Sequence, residues 1–132
     1  MRQILGEEKG FTLVEVLIVV TMIGILASVA VPRFSSSLEL ANTAKIQADL
    51  QTLDAAVVMY EAENGTSPGN LTDIAAYVND VPSPPKGKCR LKNSATATNV
   101  TATAYVLADV TTGGVTQCRA TLDGHVAGDF GK

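Results

Sequence analysis

The distribution of apolar and polar residues divides the chain into a uniformly apolar stretch, an amphipathic stretch and a mixed C-terminal part. The apolar stretch runs from Phe11 to Phe34, and Glu15 is its single charged residue before Pro32. A helix of the residues from Phe11 to Pro32 would rise about 33 Å, enough to cross a hydrocarbon core of about 30 Å. Because a helix in a small soluble domain is rarely apolar on every side, we predict that this stretch spans a membrane.

A single apolar stripe follows in residues 35–64. Leu38 and Leu40 begin this amphipathic stretch together with Ala41 and Ala44. The stripe then recurs at helical spacings of four and three, through Ile46, Leu50, Leu53, Val57 and Tyr60. Asn64-Gly65 supplies a C-terminal stop, since glycine adopts the left-handed conformation at low cost. The pattern therefore predicts one long helix from Phe11 to about Glu63, whose second half packs on a globular domain. A coiled coil is the competing interpretation, but two heptads are too few for it.

Residues 65–132 are predicted to form a small β-rich globular domain. A short helix is expected on the apolar positions Leu71, Ile74, Ala75 and Val78, with Asn70 or Thr72 as its N-cap. The prolines that end this helix and form a stiff linker are Pro82, Pro84 and Pro85.

Strands are expected from Lys86 onward. Residues 93–103 are rich in Ser, Thr and Ala and are predicted to form an exposed loop. The runs Ala104–Val110 and Val115–Leu122 flank Thr111-Thr112-Gly113-Gly114, which is typical of a β-hairpin, and an irregular tail follows. The predicted fold class is α+β: a long N-terminal helix with a small antiparallel sheet packed on its second half.

Composition and charge limit the function classes. A chain of 132 residues has room for one domain beside the apolar stretch, and its net charge of −3 argues against a dedicated nucleic-acid binder. Four cations, Lys86, Lys88, Arg90 and Lys92, alternate with other residues and would share one face of a strand. A solvated strand edge is the preferred interpretation, before a charge contact between subunits or DNA binding, because the aromatic residues of a base-stacking platform are missing nearby.

The residues for enzymatic chemistry are sparse. His125 is the single histidine, so a multi-histidine metal site or a Ser/His triad has little basis, and no phosphate-binding glycine loop is present. Asp123 and Asp129 could bind Ca²⁺ with nearby carbonyls, but surface turns explain them better. We therefore predict that the protein is not an enzyme and needs no cofactor.

The N-terminal flank adds the most specific motif. A carboxylate inside a membrane-spanning stretch is expensive and usually marks function, which singles out Glu15. A short charged segment ends at Gly10, directly before the apolar run, and no A-x-A cleavage site follows the run. Arg2 and Lys9 precede the run and Arg33 follows it, which weakly favours a cytoplasmic N-terminus.

This segment resembles the class III leader of type IV pilins and type II secretion pseudopilins. The matching residues are Gly10, Phe11, Thr12, Leu13, Glu15 and Pro32. The resemblance implies that residues 1–10 are a leader, cut by a prepilin peptidase between Gly10 and Phe11, and that Phe11 is then N-methylated. It also implies that residues 11–34 form the core helix of a filament. The segment Tyr60–Leu71 is similar to the helix end and following loop of secretion pseudopilins and competence pilins.

The resemblance implies a structural subunit of a type IV pilus-like filament, polymerised through its N-terminal helix. The expected partners are further copies of the chain, the prepilin peptidase and N-methyltransferase, an inner-membrane assembly platform, minor pilins, and membrane lipid before assembly. The head would be exported, and the filament would be periplasmic or extracellular. The alternatives are the major pseudopilin of a type II secretion or competence system and, in another class, a single-pass membrane-anchored binding module.

Three further expectations concern single residues. Glu15 is predicted to neutralise the new amine of Phe11 on a neighbouring subunit, with a contact inside one chain as the competing explanation. Gly24 and Pro32 are predicted to kink or loosen the helix. If the head is exported into an oxidising compartment, Cys89 and Cys118 are expected to form a disulfide, which closes a loop of about 30 residues and contributes roughly 3–4 kcal/mol.

Overall fold

The computed structural model describes residues 10–131, in two compact units that meet between Ser35 and Ser36. One helix, α1, covers Leu13–Asn64. It begins two residues after the predicted start and ends one residue after the predicted end. The predicted leader, apart from Gly10, lies outside the described residues.

In the first unit, the part of α1 before Ser36 has its apolar side chains in solvent. Phe11 is 82% exposed and Leu26 is 71% exposed, and no residue from Gly10 to Ser35 is buried. The helix continues without a break through Gly24 and Pro32. Pro32 has no N–H for the carbonyl of Ser28, so the helix loses one hydrogen bond there. The kink at Gly24 and Pro32 stays a prediction.

The second unit has the predicted apolar stripe of α1 at its centre. Ile46, Leu50 and Leu53 are fully buried, and Val57 is buried with them. They pack with side chains from the C-terminal part of the chain, namely Ile74, Cys89, Tyr105, Ala120, Leu122, Ala127 and Phe130. The predicted packing of the second half of the helix is confirmed. Burial begins at Thr43, however, whereas Leu38 and Leu40 are exposed, so the buried stripe starts later than predicted.

The strands form two separate antiparallel pairs. Strand β1 (Lys88–Cys89) pairs with β2 (Thr98–Asn99), and β3 (Val106–Thr112) pairs with β4 (Val115–Thr121). The predicted hairpin is confirmed, with a tight turn of two glycines, Gly113 and Gly114, both at positive φ. Two small sheets thus replace the one predicted sheet, and β2 lies within the predicted loop 93–103.

The segment between α1 and β1 is less regular than predicted. Only a 3-10 helix, Ala75–Tyr77, forms where a short helix was expected, and its N-cap, Ile74, makes no side-chain hydrogen bond. Asn70 instead accepts a hydrogen bond from the N–H of Thr72 at 2.9 Å, which stabilises a local turn. The tail contains a second 3-10 helix, Ala127–Asp129.

One side chain of α1 connects the helix to β4. The carboxylate of Asp54 accepts hydrogen bonds from the guanidinium of Arg119 at 2.5 and 3.0 Å and from the N–H of Ala120 at 2.8 Å. The hydrogen bond to Asp54 raises the pKa of Arg119 above its ordinary value. Because Ala120 is fully buried, its N–H would otherwise lack a partner, and Asp54 therefore fixes the position of the hairpin on the helix.

Candidate assembly site

The first turn of α1 is closed by a reciprocal contact between Thr12 and Glu15. The N–H and the hydroxyl of Thr12 each donate a hydrogen bond to Oε2 of Glu15 at 2.9 Å. The N–H of Glu15 lies 3.2 Å from the hydroxyl oxygen of Thr12. This is a capping box, in which the N-cap residue and the third helical residue satisfy each other's free N–H groups.

The capping box explains why the helix begins at Leu13. It also gives Glu15 a partner that the sequence reasoning missed, although the pattern Thr-x-x-Glu before an apolar run is a local signal for it. The carboxylate thus contacts Thr12 of its own chain. Its contact with the amine of Phe11, within one chain or between subunits, stays a prediction, because Phe11 is still joined to Gly10 here. Both hydrogen bonds from Thr12 end on Oε2, so that among residues 10–131 the other oxygen, Oε1, has room for a further donor.

The predicted cleavage junction lies directly before this cap. Gly10 and Phe11 precede the helix and are exposed. A side chain on Gly10 would meet no atom within 4 Å. The junction is therefore accessible, and a larger residue at Gly10 would not disturb the fold around it.

The cysteines are not brought together. Both are free thiols, Cys89 buried and Cys118 half-buried, so the predicted disulfide is not formed in this structure. The residue after Cys89, Arg90, donates its N–H to Thr43 at 2.9 Å, whereas the residue after Cys118 is paired with Asp54. These attachment points are eleven residues apart on α1, roughly 16 Å along the axis, whereas disulfides join Cα atoms within about 7 Å.

The thiols also have different neighbours. The thiol of Cys118 lies 3.7 Å from the carbonyl oxygen of Pro68, and Asp109 is its charged neighbour across the hairpin. Asp123 is the charged neighbour of Cys89. Burial raises the pKa of both thiols above the ordinary value, which keeps them protonated and slow to react. The fold thus corrects the expectation of a disulfide.

The two aspartates considered for calcium have partners within the protein. Asp123 accepts hydrogen bonds from the N–H and the hydroxyl of Thr101 at 3.0 and 2.7 Å, and the contact with this hydroxyl lowers the pKa of Asp123. Asp129 accepts one from the N–H of Val126 at 3.0 Å and lies 3.7 Å from His125. Within residues 10–131, no group of three or more His, Cys, Asp or Glu side chains could hold a metal ion.

The four alternating cations do not behave alike. Lys86, Lys88 and Lys92 are exposed, as the solvated-edge interpretation requires. Arg90 is half-buried and lies 3.7 Å from the carboxylate of Glu39 on α1. Strand β1 itself is limited to two residues, so the four cations do not share one continuous strand.

A candidate membrane-crossing stretch lies in α1. Among residues 10–131, this one helix is long and apolar enough to cross a membrane by length and composition, with a mean hydropathy of 2.6 in its most apolar part. None of that part is buried. The long exposed apolar surface and the capped glutamate at its start define the site.

Comparison with known proteins finds a known motif in the N-terminal segment. The family described as "Prokaryotic N-terminal methylation motif" matches residues 7–31, which contain the Gly10–Phe11 junction, the capping box and most of the apolar stretch. The N-terminal segment therefore carries the N-methylation motif of a prokaryotic prepilin leader, as the resemblance implied.

Several similar curated proteins share one name. The chain is 38% identical over 72 residues to Type II secretion system core protein G of Aeromonas hydrophila, covering 54% of this chain and 50% of that protein. It is 31% identical over 81 residues to the protein of that name from Klebsiella michiganensis, and the match covers 61% of this chain and 57% of that protein. It is 33% identical over 79 residues to the protein of that name from Escherichia coli strain K12, and the match covers 60% of this chain and 54% of that protein. The chain thus spans about half the length of these relatives. A comparison with solved structures gave no match.

Proposed function

We propose that this chain is the structural subunit of a type IV pilin-like filament, cleaved between Gly10 and Phe11, N-methylated on Phe11 and polymerised through α1. The observation that carries the proposal is the first unit: its apolar side chains are exposed on all sides, and one carboxylate stands in its first turn. So large an exposed apolar surface does not remain in water. Lipid covers it before assembly, and the helices of neighbouring subunits cover it in the filament.

Glu15 has a role in choosing the register of assembly. Cleavage creates an amine at Phe11, and a charge in a packed apolar core costs several kcal/mol unless it has a partner. Oε1 of Glu15 accepts the amine of a neighbouring subunit while Oε2 stays in the capping box. A subunit docked one step out of register leaves both charges without partners, so the correct register is favoured.

The experiment that tests this proposal compares Glu15→Val with Glu15→Gln and the parent in cells that contain no parental subunit. Both variants are expected to be processed and inserted, because both are less costly in lipid than a carboxylate. Both are expected to enter filaments poorly, because neither can neutralise an amine. Normal filament yield from Glu15→Val would contradict the register role.

The second candidate function is that of a pseudopilin in a type II secretion system. The relatives from Aeromonas hydrophila, Klebsiella michiganensis and Escherichia coli favour it over a surface pilus, because each carries the name Type II secretion system core protein G. In this role the filament is periplasmic and acts with an inner-membrane assembly platform and minor subunits. Deletion of the gene is then expected to abolish export of secreted enzymes without removing surface filaments. The competence-system alternative is distinguished by loss of DNA uptake instead.

A further inference from the structure

We propose that Lys86, Lys88 and Lys92, here called the lysine segment, bind the phosphate groups of anionic phospholipids while the subunit waits in the membrane. The inference rests on the proposed function, because it needs a subunit whose apolar helix is inserted in a bilayer. It assigns a lipid-binding surface to the second unit, beyond the apolar stretch itself.

The position of the lysine segment in the second unit is fixed by its backbone. The side-chain amide of Asn42 donates hydrogen bonds to the carbonyl oxygens of Lys86 and Lys88 at 3.2 and 3.0 Å. Gly87 between them has a φ of +109°, and a side chain there would lie 3.4 Å from the same amide. Lys86 and Lys88 therefore lie on the first turns of α1 in this unit, since Ser36 to Asn42 rises about 9 Å. This is the end at which the chain enters the unit from the apolar stretch. Lys92 is held instead through its N–H, which donates to the carbonyl oxygen of Asp129.

The lysine segment carries charge that the protein does not neutralise. Among residues 36–131, the other lysine and arginine side chains have carboxylate partners: Lys45 with Asp49, Arg90 with Glu39, and Arg119 with Asp54. Among residues 36–131, by contrast, no ion pair is formed by any of the three exposed lysines.

Several acidic groups of the second unit have partners of their own. Glu39 faces Arg90, and Asp49 is held by Lys45 and by the hydroxyl of Tyr105. Asp129, whose backbone carbonyl accepts the N–H of Lys92, directs its carboxylate to Val126 and His125. Farther along α1, Asp54 faces Arg119 and Glu61 accepts a hydrogen bond from Ser67. Lys86 and Lys88 thus place exposed positive charge at the start of the unit.

An anionic bilayer surface fits this arrangement. Each lysine near such a surface contributes about 1 kcal/mol, which is about a fivefold gain in affinity. Lysine stems can also lie along apolar surface while the ammonium groups reach the phosphates. Single-stranded nucleic acid fits less well, because the segment has no aromatic side chain on which a base could stack.

The test uses the full chain, reconstituted at one copy per lipid nanodisc. The discs contain phosphatidylcholine alone, or phosphatidylcholine with about 30% phosphatidylglycerol. The rate of acetylation of each lysine is measured by mass spectrometry at about 0.05 M and about 0.5 M salt, because salt screens the contact. In anionic discs at low salt, the three lysines are expected to react about fivefold more slowly, and Lys45, already held by Asp49, should change little. The difference should disappear at high salt.

A matched pair of variants separates charge from fold. The first double variant combines Lys86→Gln with Lys88→Gln, and in anionic discs Lys92 is expected to regain most of its rate of acetylation. The second combines Lys86→Arg with Lys88→Arg, and in it Lys92 should still be acetylated slowly. Equal rates in both kinds of disc would overturn the inference. Protection that needs several copies per disc would also overturn it, since a second subunit would then be the partner. Failure of the chain to insert into discs would instead contradict the proposed membrane-anchored function.

Discussion

Oε2 of Glu15 is held by both donors of Thr12, the N–H and the hydroxyl, each at 2.9 Å. The contact satisfies the carboxylate at the start of an otherwise uncharged stretch, within the same chain. A free carboxylate in the bilayer would be costly, so the capping box makes the monomer easier to hold in the membrane. It also fixes the direction of the carboxylate. Within residues 10–131 Oε1 is outside this cap, and it is the atom that we propose accepts the amine of Phe11 from another subunit.

The first prediction separates the cap from the charge. Thr12→Val keeps the shape of the side chain but removes the hydroxyl, so the start of α1 should be weakened by about 1 kcal/mol. Hydrogen exchange of the amides of the first turn should become faster, and Thr12→Ser should restore the parental rate. Because Glu15 is unchanged, filament yield should fall much less than in Glu15→Val. Equal loss of filaments in both variants would mean that the cap, not the charge, carries assembly.

The second prediction concerns processing. Gly10→Val should prevent cleavage, because a branched side chain would crowd the peptidase site at the Gly10–Phe11 junction. Gly24→Ala is the matched control, since a side chain at either glycine meets no atom within 4 Å of the folded chain. The mass of the purified protein reports the result: the control should have the mature length, and Gly10→Val should keep the leader. Mature-length protein from Gly10→Val would show that cleavage does not occur between Gly10 and Phe11.

The third prediction concerns the thiols. Protein that is denatured without reductant should take up two alkyl groups per chain, on Cys89 and Cys118, as counted by mass spectrometry. In the folded protein, both thiols should react much more slowly than a free thiol, because burial raises the pKa of each. If the denatured protein took up no alkyl groups, Cys89 and Cys118 would be joined in a disulfide. Strands β1 and β4 would then have to pack differently from this structure.

The fourth prediction concerns the attachment of β4 to α1. Asp54→Ala leaves the buried N–H of Ala120 without a partner and should lower the free energy of unfolding by about 1–3 kcal/mol. Asp54→Asn keeps an oxygen for Ala120 and loses the ion pair with Arg119, so its effect should be smaller. Urea unfolding of the detergent-solubilised chain measures both. If the alanine variant were no less stable than the asparagine variant, Ala120 would not depend on Asp54.

The fifth prediction is a pH dependence at alkaline pH. The pKa of Tyr105 is raised, first by burial and then by its hydrogen bond to Asp49 at 2.6 Å. A pKa raised in the folded state favours folding below the ordinary tyrosine pKa of about 10, and this advantage is lost as the pH rises above it. Unfolding midpoints should therefore fall steeply above about pH 10 in the parent and less steeply in Tyr105→Phe. Parallel curves would show that another group causes the alkaline loss.

The sequence determined the features that depend on neighbours along the chain. The apolar stretch, the long helix, the hairpin around Gly113-Gly114 and the N-terminal methylation motif are all local patterns, because helix, turn and membrane preference are set within a few residues. The capping box of Thr12 and Glu15 belongs to the same kind of pattern and could have been predicted from Thr-x-x-Glu.

Only the tertiary structure decided which distant residues meet. The stripe on α1 is buried from Thr43 rather than from Leu38, because the returning chain at residues 86–92 contacts the helix from Glu39 to Thr43 but does not cover Leu38 or Leu40. In the same way, Arg90 is attached to Thr43 and Ala120 to Asp54. Cys89 and Cys118 therefore lie beside different turns of α1. Periodicity gives the face of a helix that is buried, but it carries no information about which segment covers each turn. That choice depends on how the whole apolar surface packs, and so it is made only in the folded chain.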